Sequence, residues 1–316
     1  MDAAQGEYIA FADNDDILNK NNIEYLLSAL QNTGADMSKA RWQQFGISHL
    51  DDIVRQASRG ATSPNTINVF NEPLRAYQTV FSKILRLVGE HTGHNTEARY
   101  FNEANWCRLY KRELWNDIRF PEGMYAQDVM VAGKLYARMN KVADVDRILY
   151  YWLQSPNSVT HKERSFSFYH DNVVAGIVNF EYALKHGILP ARSYYTLVGS
   201  INEEATAPDI TEPVNQLQYE ADLQKKNSLL ARLTRHQRMQ CAVLHKIRLF
   251  EKGYTIVRLK TWHNKTPSIY RVAAENGATG KQCISNCVNY FRLPWIVFTI
   301  KFFALRMALI GNQTTR

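Results

Sequence analysis

One stretch limits the folds open to this 316-residue chain more than any other: Gly6-Glu7-Tyr8-Ile9-Ala10-Phe11-Ala12-Asp13-Asn14-Asp15-Asp16. Tyr8 to Ala12 is short, apolar and β-prone, and three carboxylates follow it at once. A buried strand that ends in clustered acids can hold a divalent cation at a sheet edge. Oxygen ligands of this kind suit Mg²⁺ or Mn²⁺, which bind one or two carboxylates together with substrate phosphates. The plain alternative is a solvated acidic turn that caps the next helix.

Composition narrows the partners. A hydrophobic fraction of 45% and a charged fraction of 22% are ordinary for a globular chain of one large or two smaller domains. The net charge of +8 points to an anionic partner: a nucleotide, a nucleic acid or an acidic membrane surface. Cys107, Cys241, Cys283 and Cys287 are too few and too scattered for a disulfide scaffold or a zinc signature, so a reducing cytoplasm is expected. Cys283 and Cys287, one helical turn apart, read as core or helix-face residues. Met1-Asp2-Ala3-Ala4-Gln5 has neither the basic start nor the apolar core of a signal peptide. No apolar run reaches the roughly 18 residues a spanning helix needs.

Along the chain, Ile23, Leu26, Leu27 and Leu30 recur at helical spacing after the caps offered by Asn19 to Asn22, and Gly34 ends that helix. The spacing of strand, acidic loop and helix is half of an α/β unit. Ala35–Phe45 and Ile47–Val54 read as strands, residues 58–68 as a loop and Leu74–Val88 as a helical stripe. His91 and His94 sit in a polar loop with Gly93, a setting that favours a plain loop over a metal pair. Asp128 stands where a loop enters the apolar helix Val129–Met139. The helix dipole there favours its ionised form, either as a cap or as a general base. Ile148–Trp152 is β-prone and Ser155–His161 is a polar loop.

Beyond His161 the pattern is helical: 166–184 ending near Gly187, 194–205, and one long polar helix over 212–250. From Lys225 to Arg271 basic residues dominate, with Glu251 the sole acid in the run. Residues 290–311 are apolar and aromatic but broken by Arg292, Lys301 and Arg306. That pattern suits an interfacial helix on an anionic membrane, or a helix docked on the core.

Three of these blocks together resemble the family-2 glycosyltransferases, above all bacterial enzymes of surface-polysaccharide synthesis. They are Ala4 to Asp16, then Arg108-Leu109-Tyr110-Lys111-Arg112-Glu113-Leu114 through Ile118-Arg119-Phe120-Pro121-Glu122-Gly123 to Gln127-Asp128, then Leu149-Tyr150-Tyr151 with Asn157-Ser158-Val159-Thr160. The order and spacing of all three are more specific than any one, and they cover about the first half of the chain.

The resemblance implies an α/β fold: an incomplete GT-A-like nucleotide-sugar domain over 1–162, with a central mixed sheet missing its first strand-helix units. A mainly helical, basic C-terminal region over 163–316 follows. Family members place base- and ribose-binding units before the acidic motif, so the expectation is an N-terminally truncated chain. By resemblance, Asp13 and Asp15 match the D-x-D acids that bind Mn²⁺ or Mg²⁺ on the donor diphosphate, Asp15 most directly. Asp13 and Asp16 also position the sugar nucleotide. Asp128 matches the base that deprotonates the acceptor hydroxyl in an inverting displacement. Its neighbour is usually Glu and here is Gln127, placed with the substrate contacts. Leu153, Gln154 and Ser155 stand where the family often carries arginines, so Thr160 and His161 are the candidates for phosphate contacts.

The partners implied are a nucleotide-sugar donor and a glycan or lipid-linked saccharide acceptor, in the cytoplasm or peripherally on the inner face of the membrane. No nucleic-acid motif accompanies the basic run. Two other readings compete. One is a non-catalytic fragment or membrane-associated helical module. The other is a haloacid-dehalogenase-like phosphatase on Asp13-Asn14-Asp15, which lacks the later acid pair that fold requires.

Overall fold

The computed structural model describes residues 1–79, 101–154 and 164–262, with side chains described as far as Glu251. Its centre is a six-stranded mixed sheet in the order β1-β5-β3-β6-β2, with β4 also paired to β6. The strands are β1 (Tyr8–Ala10), β2 (Ile17–Leu18), β3 (Met37–Gly46), β4 (Ile67–Asn71), β5 (Arg108–Lys111) and β6 (Lys141–Gln154). Among the described strands β3 and β6 pair in parallel, and the other strand pairs are antiparallel. The expected strand from Tyr8 is therefore present, extended by an isolated bridge between Phe11 and Trp106.

Alternation along the central strands builds two apolar faces, because successive side chains point to opposite sides of a sheet. Met37, Tyr110 and Val142 join one core cluster with residues of α3 (Pro73–Thr79) and α4 (Gln127–Arg138). Ala40, Leu109 and Ala143 join the other, under Leu26 and Leu30 of α1 (Asn22–Thr33). Gly34 ends α1 at φ 65° and returns its N–H to the Leu30 carbonyl, a conformation that glycine adopts without Cβ strain.

Two sequence expectations fail for local reasons. Ile47–Val54 is a 3₁₀ turn, Ile47–His49, leading into helix α2 (Leu50–Arg59). Leu50, Ile53, Val54 and Ala57 follow a helical period, and Ile53 and Ala57 bury that face against Phe45 and Tyr151. The long polar helix is also two: α7 (Pro213–Ala231) and α8 (Arg235–Trp262). Thr234 and Gln237 separate them with a capping box. Gln237 N donates to Thr234 Oγ1 at 3.2 Å, and Thr234 N donates to Gln237 Oε1 at 3.0 Å. The helical stripe from Leu74 is described as far as Thr79; its remainder lies outside the described residues.

The C-terminal helices α5 (Phe166–Lys185), α6 (Ala191–Glu204), α7 and α8 have a core of their own around Val173, Phe180, Leu197, Leu229 and Cys241. They also grip the sheet layer. Arg192 Nη1 pairs with Glu103 at 2.7 Å, and Gln78 Nε2 donates to Ser193 Oγ at 2.8 Å. No helix among the described residues is long and apolar enough to cross a membrane.

Candidate active site

Strand β1 delivers its chain to a turn in which Asp16 N donates back to the Asp13 carbonyl at 3.3 Å. Three contacts fix this turn to β6. Asp13 N donates to the Tyr150 hydroxyl at 3.0 Å, Leu153 N donates to Asp16 Oδ1 at 2.8 Å, and β2 pairs Ile17 with Tyr151. Asp13 and Asp15 stay on the surface, whereas Asp16 is half-buried.

The electrostatics of the turn favour a cation. Partial desolvation, then the Asp15 charge, raise the Asp13 carboxyl above its usual range. Asp16 is raised in the same direction, chiefly by burial, while the Tyr150 side chain and the Leu153 amide oppose it. Its Oδ2 is buried beside the Tyr150 hydroxyl. Mutually repelling carboxylates are what a divalent ion can neutralise. The three acids do not bring three oxygens within reach of one ion among the described residues. The site fits the mode in which one or two carboxylates share the ion with phosphate oxygens.

Asp128 lies in the first turn of α4, with Oδ1 accepting from Val129 N at 2.8 Å. The helix N-terminus is not the only influence on this carboxyl. Burial and the nearby Glu103 carboxylate raise its pKa, and the Val129 amide only partly offsets them. Burial pushes the Glu103 carboxyl up, but the Arg192 charge and hydrogen bond, with smaller help from Arg108, together hold it below its usual range. Arg108, Tyr110 and Tyr77 complete a buried layer behind Asp128, with Tyr110 Oη donating to Asn105 Oδ1 at 2.8 Å. Gln127 opens the same helix and is half-buried.

Sequence reasoning missed two groups. Glu103 and Arg192 are 89 positions apart, too far for any local signal to pair them. Trp42, Trp106 and Trp152 form a half-buried aromatic group with Tyr150, whose hydroxyl holds the acid turn. Trp106 stacks on Tyr150 with ring centroids 5.0 Å apart. Thr160 and His161 lie outside the described residues, as do His91, His94, Cys283, Cys287 and the 290–311 segment. An open pocket of about 450 Å³, lined by Asn19, Arg41, Gly60, Asp146 and Tyr151, contains none of the expected site residues.

The described residues thus combine a mixed sheet, a strand-end acid turn and a half-buried carboxylate that opens a helix packed on the sheet. Residues 1–116, the part of the chain from β1 to β5, match the family model described as Glycosyl transferase family 2. Asp128 falls beyond the matched segment.

No curated protein matches the chain. Among solved structures, it is similar to Staphylococcus aureus TarS 1–349 in complex with UDP-GlcNAc, at 17% identity and TM-score 0.45, covering 79% of this chain and 66% of that one. The complex of the same protein with UDP gives 16% identity and TM-score 0.43, covering 79% and 65%. This chain thus spans less than two thirds of the length of those two chains.

Proposed function

We propose that the chain is a glycosyltransferase. It transfers a sugar from a nucleotide-sugar donor to a hydroxyl of a glycan or lipid-linked acceptor in surface-polysaccharide synthesis, with inversion at the anomeric carbon. The observation that carries this reading is the family match over residues 1–116, which contains the acid turn and its surface carboxylates Asp13 and Asp15. We further propose a division of labour, with residues 1–162 carrying the site and 163–316 supporting it, peripheral at an anionic membrane surface through 290–311.

In this reading Asp15 and Asp13 hold Mn²⁺ or Mg²⁺ together with the donor diphosphate. The cation, when bound, supplies positive charge against the negative charge that develops on the leaving diphosphate. Asp16, fixed by the Leu153 amide and beside the Tyr150 hydroxyl, helps position the sugar nucleotide. The indole faces beside Tyr150 offer an apolar surface for a sugar ring or base.

Asp128 takes the proton from the acceptor hydroxyl as that oxygen bonds to the anomeric carbon. The bond from that carbon to the diphosphate oxygen breaks, and its electron pair leaves with the nucleoside diphosphate. A raised carboxylate pKa serves this role, because a base closer in pKa to the working pH has more drive to accept a proton. Gln127 beside it, and Thr160 and His161, are the proposed remaining substrate contacts.

The test is release of nucleoside diphosphate, and transfer, from a panel of UDP- and GDP-sugars with Mn²⁺. Asp15→Asn and Asp128→Asn should each reduce turnover by about 10²–10⁴-fold. Turnover indifferent to both substitutions, or a chain that binds no nucleotide, overturns the assignment.

A further inference from the structure

A second polar cluster lies far from the acid turn in sequence, inside the helical region. His170 projects from α5, Glu204 ends α6 and Asp222 lies within α7. One ligand atom from each of the three lies within 4.8 Å of the others. His170 Nδ1 is 2.7 Å from Asp222 Oδ2 and 3.6 Å from Glu204 Oε1. Glu204 is 0% exposed and Asp222 5%.

The proton count does not close. An imidazole Nδ1 carries one hydrogen, and Asp222 takes it at 2.7 Å. Glu204 is then left with both carboxylate oxygens buried and without a hydrogen-bond partner. Its nearest cationic group is the same imidazole, beyond hydrogen-bond distance. An apolar side chain fits such a place better, unless something else completes the cluster.

We infer that His170, Glu204 and Asp222 bind a divalent transition metal ion of the Zn²⁺ class, joining α5, α6 and α7. One imidazole nitrogen and two carboxylate oxygens are a donor set such ions accept. Bonds of about 2.1 Å in a tetrahedron set its ligand atoms about 3.4 Å apart. The observed separations of 2.7 and 3.6 Å bracket that value. The cluster also has an orienting neighbour: Gln218 Nε2 donates to Asp222 Oδ1 at 3.2 Å, leaving Oδ2 for the ion. His170, 27% exposed at its side chain, gives access from solvent and leaves room for a water ligand. The ion displaces the Nδ1 proton and supplies both buried carboxylates with positive charge. This site is independent of the donor-sugar site and does not rest on the proposed activity.

The experiment uses the untagged full chain, stripped with a chelator and free of nucleotide. Zn²⁺ is titrated by calorimetry, and Co²⁺ by its visible absorption. The wild type and Asp15→Asn should each take up one ion at this site. Glu204→Gln and His170→Gln should lose that uptake or weaken it at least 100-fold, and Gln218→Ala should weaken it about tenfold. Zn²⁺ should raise the melting temperature of the wild type and not that of Glu204→Gln. The apo form of Glu204→Gln should stay folded by circular dichroism, since a neutral amide is cheaper to bury than a carboxylate. Should it fail to fold, Asp222→Asn and Gln218→Ala carry the same test. Unchanged stoichiometry and affinity in these variants, or no Zn²⁺ uptake by the wild type, overturns the inference in favour of a protonated Glu204.

Discussion

Replacing a helix-interior glycine with alanine ordinarily stabilises by about 1 kcal/mol. Gly133 in α4 should do the opposite. A Cβ there would stand 2.2 Å from Asn179 Oδ1, 3.1 Å from its Cγ and 3.4 Å from its Cα. Asn179, on α5, is buried and tied at both ends of its amide. Its Oδ1 accepts from Gly133 N at 2.9 Å, and its Nδ2 donates to the Val129 carbonyl at 2.6 Å. It thus lies across the two backbone groups that a regular helix pairs with each other. Moving it aside forfeits two hydrogen bonds worth about 1 kcal/mol each, and overpacking adds about 1–3 kcal/mol. Less the helix gain, Gly133→Ala should cost about 2–4 kcal/mol. Asn179→Ala alone should cost about 1–3 kcal/mol, softened because Val129 and Gly133 can then pair directly. In that background Gly133→Ala should be neutral or mildly stabilising. The double-mutant cycle should therefore show a coupling of about 2–4 kcal/mol, read from urea melts of the four proteins. A Gly133→Ala protein as stable as wild type, or a coupling under about 0.5 kcal/mol, refutes the reasoning.

Two further outcomes follow from single contacts. Glu103 raises the Asp128 pKa through its charge, so Glu103→Gln, which also frees the Arg192 cation, should lower it. A base must be deprotonated to act, so the acid limb of the kcat/KM profile should move to lower pH; a limb that stays or moves up sinks the assignment of Asp128. Thr234→Ala removes the hydroxyl that caps α8 and should cost about 1 kcal/mol in thermal or urea unfolding, with no change expected if the capping box is incidental.

The parts of the fold legible in the sequence were those with a local cause. Tyr8–Ala10 reads as a strand because it is short, apolar and followed by acids. The end of α1 was marked by a glycine at positive φ. Ile47–Val54 misled because a short run with Ile, Leu and Val in it reads as either element, and only the partners Phe45 and Tyr151 decide which face is buried. The break after Ala231 was missed, although Thr234-Arg235-His236-Gln237 forms a capping box inside an otherwise helical run. Within the candidate site, the acid turn and the helix entry at Asp128 announced themselves by residue type. The rise in the Asp128 pKa did not, because it comes from burial and from Glu103, neither of which is visible at position 128.

The division expected at residue 162 is a proposal about function, and the packing argues that folding does not observe it. Ala183 and Ile188 complete the core cluster that contains Ile9, Tyr110 and Val142. Arg192 supplies Glu103 with its counter-charge and also donates to the Tyr77 and Phe101 carbonyls. Ser193 occupies the side-chain amide of Gln78, which is 0% exposed. A chain ending at residue 162 loses all of these partners together with Asn179. It strands a carboxylate, a buried side-chain amide and apolar surface on the helices that hold Asp128. Removing one partner of a buried ion pair alone costs about 3–5 kcal/mol, a large share of a typical domain's 5–15 kcal/mol. Residues 1–162 expressed alone should therefore show no cooperative urea transition and should bind a hydrophobic dye. Residues 1–251, which keep every contact named here, should unfold cooperatively. A sharp two-state melt of 1–162 shows instead that the helices are an appendage, and that Asp128 is positioned without them.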